Sequence, residues 1–175
     1  MAQTRKAKTK LHEPAAQGTP RLYTMEVFLR SGPLVEKFVK KNPVISRTIQ
    51  IRGDQTLEDL HHAIFAAFGR WDEHMYEFQF GKGPMDPKAP RYVLPDAIGM
   101  EMGDAKPPAG RVDKTTLDSL DLEVNRSFGY WFDFGDDWWH QIDVTAIGDE
   151  MPEGKLPKVI KKVGQNPPQY TDADE

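Results

Sequence analysis

The segment YWFDFGDDWWHQI, residues 130–142, constrains the fold of this chain more than any other stretch. Two runs rich in aromatic residues flank Gly135, Asp136 and Asp137, a cluster typical of a tight turn. We therefore predict two antiparallel strands joined by a turn in which Gly135 takes a positive φ and the aspartates accept hydrogen bonds from turn amides. Such a hairpin needs further strands and a covering element to bury its apolar side chains.

Side chains alternate between the two faces of each predicted strand. In the first strand Tyr130, Phe132 and Phe134 fall on one face, and Trp131 and Asp133 fall on the other. In the second strand one face carries Trp138, His140, Ile142 and Val144. His140 thus lies in an apolar row, where a buried imidazole without a hydrogen-bond partner costs about 1–3 kcal/mol.

A helix is predicted in DQTLEDLHHAIFAAFG, residues 54–69. Thr56 and Asp59 form a capping-box pattern at its start, and Gly69 is typical of a left-handed stop. Its apolar stripe consists of Leu57, Leu60, Ile64 and Phe68. His61 falls inside that stripe and His62 outside it, so we expect different environments for the two imidazoles.

Alternating apolar residues predict further strands at residues 22–30, 44–51, 75–80 and 91–94, and an edge element is expected at 156–164. Apolar residues at helical spacing predict a short helix at 34–41, and a threonine cap indicates helical turns at 115–122. Residues 81–110 are rich in glycine and proline, which favours a long irregular excursion. Together these elements predict an α+β fold, with a mixed, mainly antiparallel sheet and one principal helix packed across it.

Length and charge divide the chain into three parts. We expect a disordered basic tail at residues 1–20, a single α+β domain at 21–163 and a flexible acidic tail at 164–175. The net charge of −4 disfavours a surface that binds nucleic acid mainly through phosphates, although the basic tail leaves such a contact open.

Composition excludes several classes of protein. The chain has no cysteine, which rules out disulfides, thiolate metal sites and cysteine nucleophiles. No apolar run approaches the roughly 18 residues that a membrane span requires, so we expect no membrane partner and a cytoplasmic location. No cofactor-binding motif is present either.

Three segments, PVISRTIQI, TLEDLHHAIFAAFGRWDEHMYEFQF and FGYWFDFGDDWWHQI, together resemble the plasmid pRiA4b ORF-3-like family, over residues 22–168. Positions that match the family pattern are Arg47, Leu60, His61, Trp71, His74, Tyr76, Phe78, Asp133, Phe134, Gly135, Asp136, Trp138 and His140. The resemblance implies a single α+β domain that is β-grasp-like in part, an association with plasmids or insertion elements, and no assigned activity. The chain departs from the pattern at Arg70, which stands between Gly69 and Trp71, and after Pro168, where the family's glycines are missing.

The polar residues of the hairpin admit three interpretations. Asp133, Asp136 and His140, joined by His61 or His74, are ligand types suited to Zn, Mn or Fe(II). No metalloenzyme spacing accompanies them, and adjacent helical histidines point about 100° apart, so we do not favour a metal.

The second interpretation is an acid–base dyad of Asp133 or Asp136 with His140, but no activated nucleophile accompanies it. The third and preferred one is a hydrogen-bonded core network that links His61, Asp133 and His140.

Some of the aromatic residues must belong to the core, and those that lie outside it suggest a further role. Trp71, Trp131 and Trp139 are candidates for a surface that binds a protein or a nucleic acid by stacking. We therefore expect a non-enzymatic binding or accessory domain, with a metal-assisted hydrolase as the alternative.

Overall fold

The computed structural model describes residues 18–83, 85–86, 88–100 and 106–172. Almost all of the predicted basic tail lies outside the described residues. The strands are β1 (Leu22–Ser31), β2 (Ser46–Arg52), β3 (Tyr76–Gln79), β4 (Arg91–Val93), β5 (Gly110–Arg111), β6 (Ser127–Phe132), β7 (Trp138–Gly148) and β8 (Lys158–Val163). The helices are α1 (Glu36–Lys41) and α2 (Leu57–Ala67), with two short 3₁₀ turns at Pro95–Ala97 and Asp118–Leu120.

All eight described strands form one sheet in the order β5-β4-β3-β6-β7-β1-β2-β8. Every neighbouring pair is antiparallel except β4 and β5, which are parallel. The predicted α+β class is confirmed, with a mixed sheet, one long helix and a single domain. Among the described residues no helix is long and apolar enough to cross a bilayer.

Local sequence signals set both ends of α2. The Thr56 hydroxyl accepts from the Asp59 amide while the Asp59 carboxylate accepts from the Thr56 amide, so the predicted capping box forms. Gly69 ends the helix with a φ of +66°, as predicted, and a side chain there would collide with Asn166. The helix therefore begins and ends where its sequence requires.

The hairpin of β6 and β7 forms as predicted, with Trp131 opposite Trp139. Its turn differs from the prediction, because Asp133 and Asp137 take positive φ angles of 58° and 56°, whereas Gly135 does not. The Asp133 carboxylate accepts from the amides of the next turn residues, which stabilises the left-handed conformation at that position. As β6 ends at Phe132, Phe134 lies beyond it and is exposed instead of sharing the inner face.

The two faces of the sheet have different partners. The inner face packs against α2 in a continuous core, to which the helix contributes Leu57, Leu60, Ile64 and Ala67. The outer face carries half-buried side chains such as Trp131, Trp139 and Phe28. The helix therefore covers one face only.

The segment after β8 packs on the domain, which corrects the predicted flexible tail for residues 165–170. The Asn166 side chain accepts from Arg47, and the buried Gln169 accepts from the Trp71 and Asp72 amides. These contacts join positions about a hundred residues apart, so no local pattern revealed them.

Candidate functional site

Tyr130 lies at the centre of the inner face, between two buried histidines. Its hydroxyl is 2.7 Å from Nδ1 of His61 on α2, and its carbonyl oxygen is 3.2 Å from Nδ1 of His140 on β7. Tyr130 is fully buried, and burial raises its pKa well above the usual value. The predicted core network therefore exists in altered form, with Tyr130 rather than Asp133 between the two imidazoles.

His140 is sealed from solvent beside a buried cation. Its Nε2 accepts from Nη2 of Arg70 at 2.8 Å, which leaves Nδ1–H to donate to the Tyr130 carbonyl. Burial and the charge of Arg70 hold the pKa of His140 well below its ordinary value. The guanidinium carbon of Arg70 also lies 4.8–5.2 Å from the ring centroids of Phe68, Phe132 and Trp138. The predicted dyad of His140 with Asp133 or Asp136 does not form.

His61 is equally buried but meets an anion. Its Nε2 is 3.1 Å from Glu73, and its ring stacks flat on Tyr76 with a centroid separation of 3.6 Å and an angle of 3°. Because a carboxylate only accepts, Nε2–H donates to Glu73 and Nδ1 accepts from the Tyr130 hydroxyl. Burial, followed by the nearby His62 and Arg70 charges, lowers the pKa of His61 to about 3.

An open pocket of about 550 Å³ adjoins His61. Its lining includes Glu58, His62 and Glu73, all at least partly exposed. His62 Nε2 is 3.7 Å from Glu58, and His62 Nδ1 is 4.0 Å from Glu73. As predicted, the two adjacent histidines have different environments, His61 in the core and His62 exposed.

The five residues proposed from sequence as a metal cluster do not converge on one point in the structure. His74 belongs to a third group, with Nε2 2.7 Å from the Tyr170 hydroxyl and 3.5 Å from Asp133. Within the described part of the chain, the only three histidine or carboxylate side chains with ligand atoms all within 4.8 Å of one another are His61, His62 and Glu73. Of the predicted residues His61, His74, Asp133, Asp136 and His140, only His61 belongs to that set.

The three predicted surface tryptophans do not form one surface. Trp131 and Trp139 stack across β6 and β7 with ring centroids 4.6 Å apart and an angle of 6°. Trp71 is exposed elsewhere, where it packs edge-on against Tyr170. Phe134 extends the tryptophan pair, with its ring centroid 4.2 Å from that of Trp131. We call Trp131, Phe134 and Trp139 the outer aromatic patch.

Sequence reasoning missed Glu73 and the role of Arg70. Glu73 follows α2 in an irregular segment, where a lone carboxylate carries no local signal of a partner. Arg70 does carry one, because a charged residue directly after the Gly69 stop interrupts the family's usual pair of residues. The structure shows that this arginine enters the core.

The fold and the pocket define a single-domain α+β protein with an uncovered sheet face and a histidine–carboxylate cluster. The family model described as plasmid pRiA4b ORF-3-like protein matches residues 37–172, and the chain belongs to that family.

The chain is also similar to two other proteins. The chain is 30% identical over 131 residues to the uncharacterized protein y4hQ of Sinorhizobium fredii (strain NBRC 101917 / NGR234), a match that covers 73% of this chain and 59% of that protein. It is similar in fold to the crystal structure of the protein of unknown function MM3350 from Methanosarcina mazei Go1, with a TM-score of 0.62 and 21% identity. That superposition covers 86% of this chain and 73% of the other.

Proposed function

We propose that the protein is a non-enzymatic binding domain that holds a basic segment of a partner protein on its outer aromatic patch. The observation that carries this proposal is the flat stack of Trp131 on Trp139 on the sheet face that the principal helix leaves uncovered. Large aromatic side chains are enriched among the residues that contribute most to binding energy in protein interfaces. We extend the proposal to an accessory role in the context of plasmids, because the family takes its description from a plasmid reading frame.

The charge beside the patch selects the partner. The indole N–H of Trp131 donates to Asp137 at 2.9 Å, which holds an exposed carboxylate at the edge of the stacked rings. Asp136 adds a second carboxylate to the same turn. An arginine or lysine of the partner can stack on the indole and pair with a carboxylate, whereas a phosphate backbone is repelled.

Selection from a displayed library of random peptides, followed by titration of the selected peptides, tests this proposal. We expect basic peptides that lose at least tenfold in affinity with Trp139→Ala and bind less tightly to Asp137→Asn. Trp71→Ala is the matched control, because it removes an equally large exposed indole elsewhere. Enrichment of acidic peptides, or affinity that survives Trp139→Ala, would contradict the proposal. If the protein instead binds oligo-dT and this binding depends on Trp139, the partner of the outer aromatic patch is a nucleic acid and not a protein.

A metal-assisted hydrolase is the second candidate, and the pocket beside His61, His62 and Glu73 is the observation that favours it. This candidate predicts zinc-dependent hydrolysis of p-nitrophenyl esters or phosphates that Glu73→Gln abolishes. No turnover with zinc bound at the pocket would exclude it for those substrates and leave the binding function intact.

A further inference from the structure

We propose that His61, His62 and Glu73 bind a divalent transition metal ion, with Zn²⁺ the best match. This site is independent of the protein partner proposed for the outer aromatic patch. It supplies what the second candidate function requires, but metal binding by itself does not establish catalysis.

The spacing of the three side chains suits such an ion. Bonds of about 2.1 Å to nitrogen and oxygen at a tetrahedral angle place two ligand atoms about 3.4 Å apart. Nε2 of His61 is 3.1 Å from one Glu73 oxygen, and Nδ1 of His62 is 4.0 Å from the other. His62 and Glu73 have exposed side chains, so their small closing movement meets little packing resistance.

The outer contacts of both imidazoles also fit a metal site. Metal-bound histidines usually direct their second nitrogen to a hydrogen-bond partner, which fixes the orientation of the ring. The second nitrogen of His61 faces the Tyr130 hydroxyl at a hydrogen-bonding distance of 2.7 Å, whereas that of His62 lies 3.7 Å from Glu58, close enough for an ion pair but too long for a hydrogen bond. Tyr76 stacks beneath His61 and directs its Nε2 toward Glu73. Each ring thus presents one nitrogen to Glu73 and the other to an outer partner.

Metal binding requires a change of tautomer at His61. The proton on Nε2, which donates to Glu73, moves to Nδ1 as the ion takes its place. The Tyr130 hydroxyl then turns to accept from Nδ1–H. His61 remains neutral throughout, so the site releases no proton from this residue. The change gives a spectroscopic signature that a structural role for the histidine would not produce.

The pocket leaves the remaining coordination positions open. Three protein ligands with free positions are typical of zinc sites that exchange water or bind an external ligand. Imidazole and carboxylate ligands suit Zn²⁺, Mn²⁺ and Fe²⁺, and the absence of cysteine removes the thiolates that soft ions prefer.

Isothermal titration of the full chain with Zn²⁺, together with the visible spectrum of the Co²⁺ form, tests the site. We expect one ion per chain, and we expect Glu73→Gln and His62→Ala each to weaken binding by about 100-fold or more, since loss of an outer partner alone costs about 10- to 100-fold. Both replaced side chains are more than half exposed, so near-ultraviolet circular dichroism should show the native fold. Tyr130→Phe should weaken binding by about tenfold.

The matched control is His74→Ala, which removes another imidazole from the same pocket. His12→Ala removes the imidazole of the N-terminal region. Both variants should bind zinc as the wild type does, and nitrogen-15 spectra should show the His61 proton on Nδ1 only when zinc is present.

Three results would overturn the proposal. These are no zinc uptake by the wild type, undiminished uptake by Glu73→Gln, or an equal loss in His74→Ala. Trp139→Ala should leave zinc affinity unchanged, which separates failure of this site from failure of the outer aromatic patch.

Discussion

His61 and His140 are buried in the same core, and Nδ1 of each lies beside Tyr130. They differ at Nε2, which meets the Glu73 carboxylate in one case and the Arg70 guanidinium in the other. A carboxylate at the edge of a pocket stabilises a cation placed beside the imidazole, whereas a buried guanidinium repels it. Burial therefore does not distinguish a structural histidine from a ligand, and the charge opposite its second nitrogen does.

Removal of the His140 ring should produce the largest effect on stability. His140→Ala leaves a cavity and deprives Arg70 Nη2 of its acceptor, while Arg70 Nη1 already has no hydrogen-bond partner among the described residues. We expect a loss of about 3 kcal/mol or more in the free energy of unfolding, measured by urea titration.

The zinc affinity of the folded His140→Ala protein should stay within a factor of about three of the wild type. His140→Gln, which restores an acceptor for Arg70, serves if the alanine variant does not fold. A loss below about 1 kcal/mol, or a large fall in zinc affinity, would show that the two histidines do not have separate roles.

Zinc should produce the next largest effect on the free energy of unfolding. It should act through the site that contains His61 and not through His140. An ion that binds the native state alone raises the free energy of unfolding by about 2.7 kcal/mol at 100 times its Kd. We expect this gain in the wild type and in His74→Ala, with none in Glu73→Gln. An equal gain in Glu73→Gln would mean that the stabilising ion binds elsewhere. Metal binding would then no longer distinguish His61 from His140.

The elements that could be predicted from sequence have local causes. The capping box at Thr56 and the Gly69 stop define α2, and the turn residues after Phe132 define the hairpin. The difference in exposure between His61 and His62 also follows from helical periodicity.

The parts that could not be predicted depend on distant contacts. Glu73 reaches His61 from an irregular segment, and Gln169 reaches the amide of Trp71 from the other end of the domain. The angle between adjacent helical side chains argued against a shared ligand site. In the structure, however, a carboxylate from outside the helix, that of Glu73, faces both diverging rings.

The smallest expected effect is the pH dependence that His140 contributes to stability. Its pKa is ordinarily 6.5 and is held well below that in the folded protein, first by burial and then by Arg70. Above pH 6.5 neither state binds the proton, so His140 adds no pH dependence there. Below pH 6.5 the His140 imidazole binds a proton in the unfolded chain but not in the native protein. The free energy of unfolding therefore falls by up to about 1.4 kcal/mol per pH unit.

Other groups titrate in the same range, so the measurement must isolate His140. The difference in unfolding free energy between the wild type and His140→Gln, followed from pH 7.5 to 5, cancels the contributions that the two proteins share. We expect that difference to be constant above pH 6.5. Below pH 6.5 the wild type should lose stability relative to His140→Gln as the pH falls. Parallel curves throughout would mean that the native ring accepts a proton beside Arg70. The core would then tolerate two adjacent cations, and the charge opposite Nε2 would no longer separate His140 from His61.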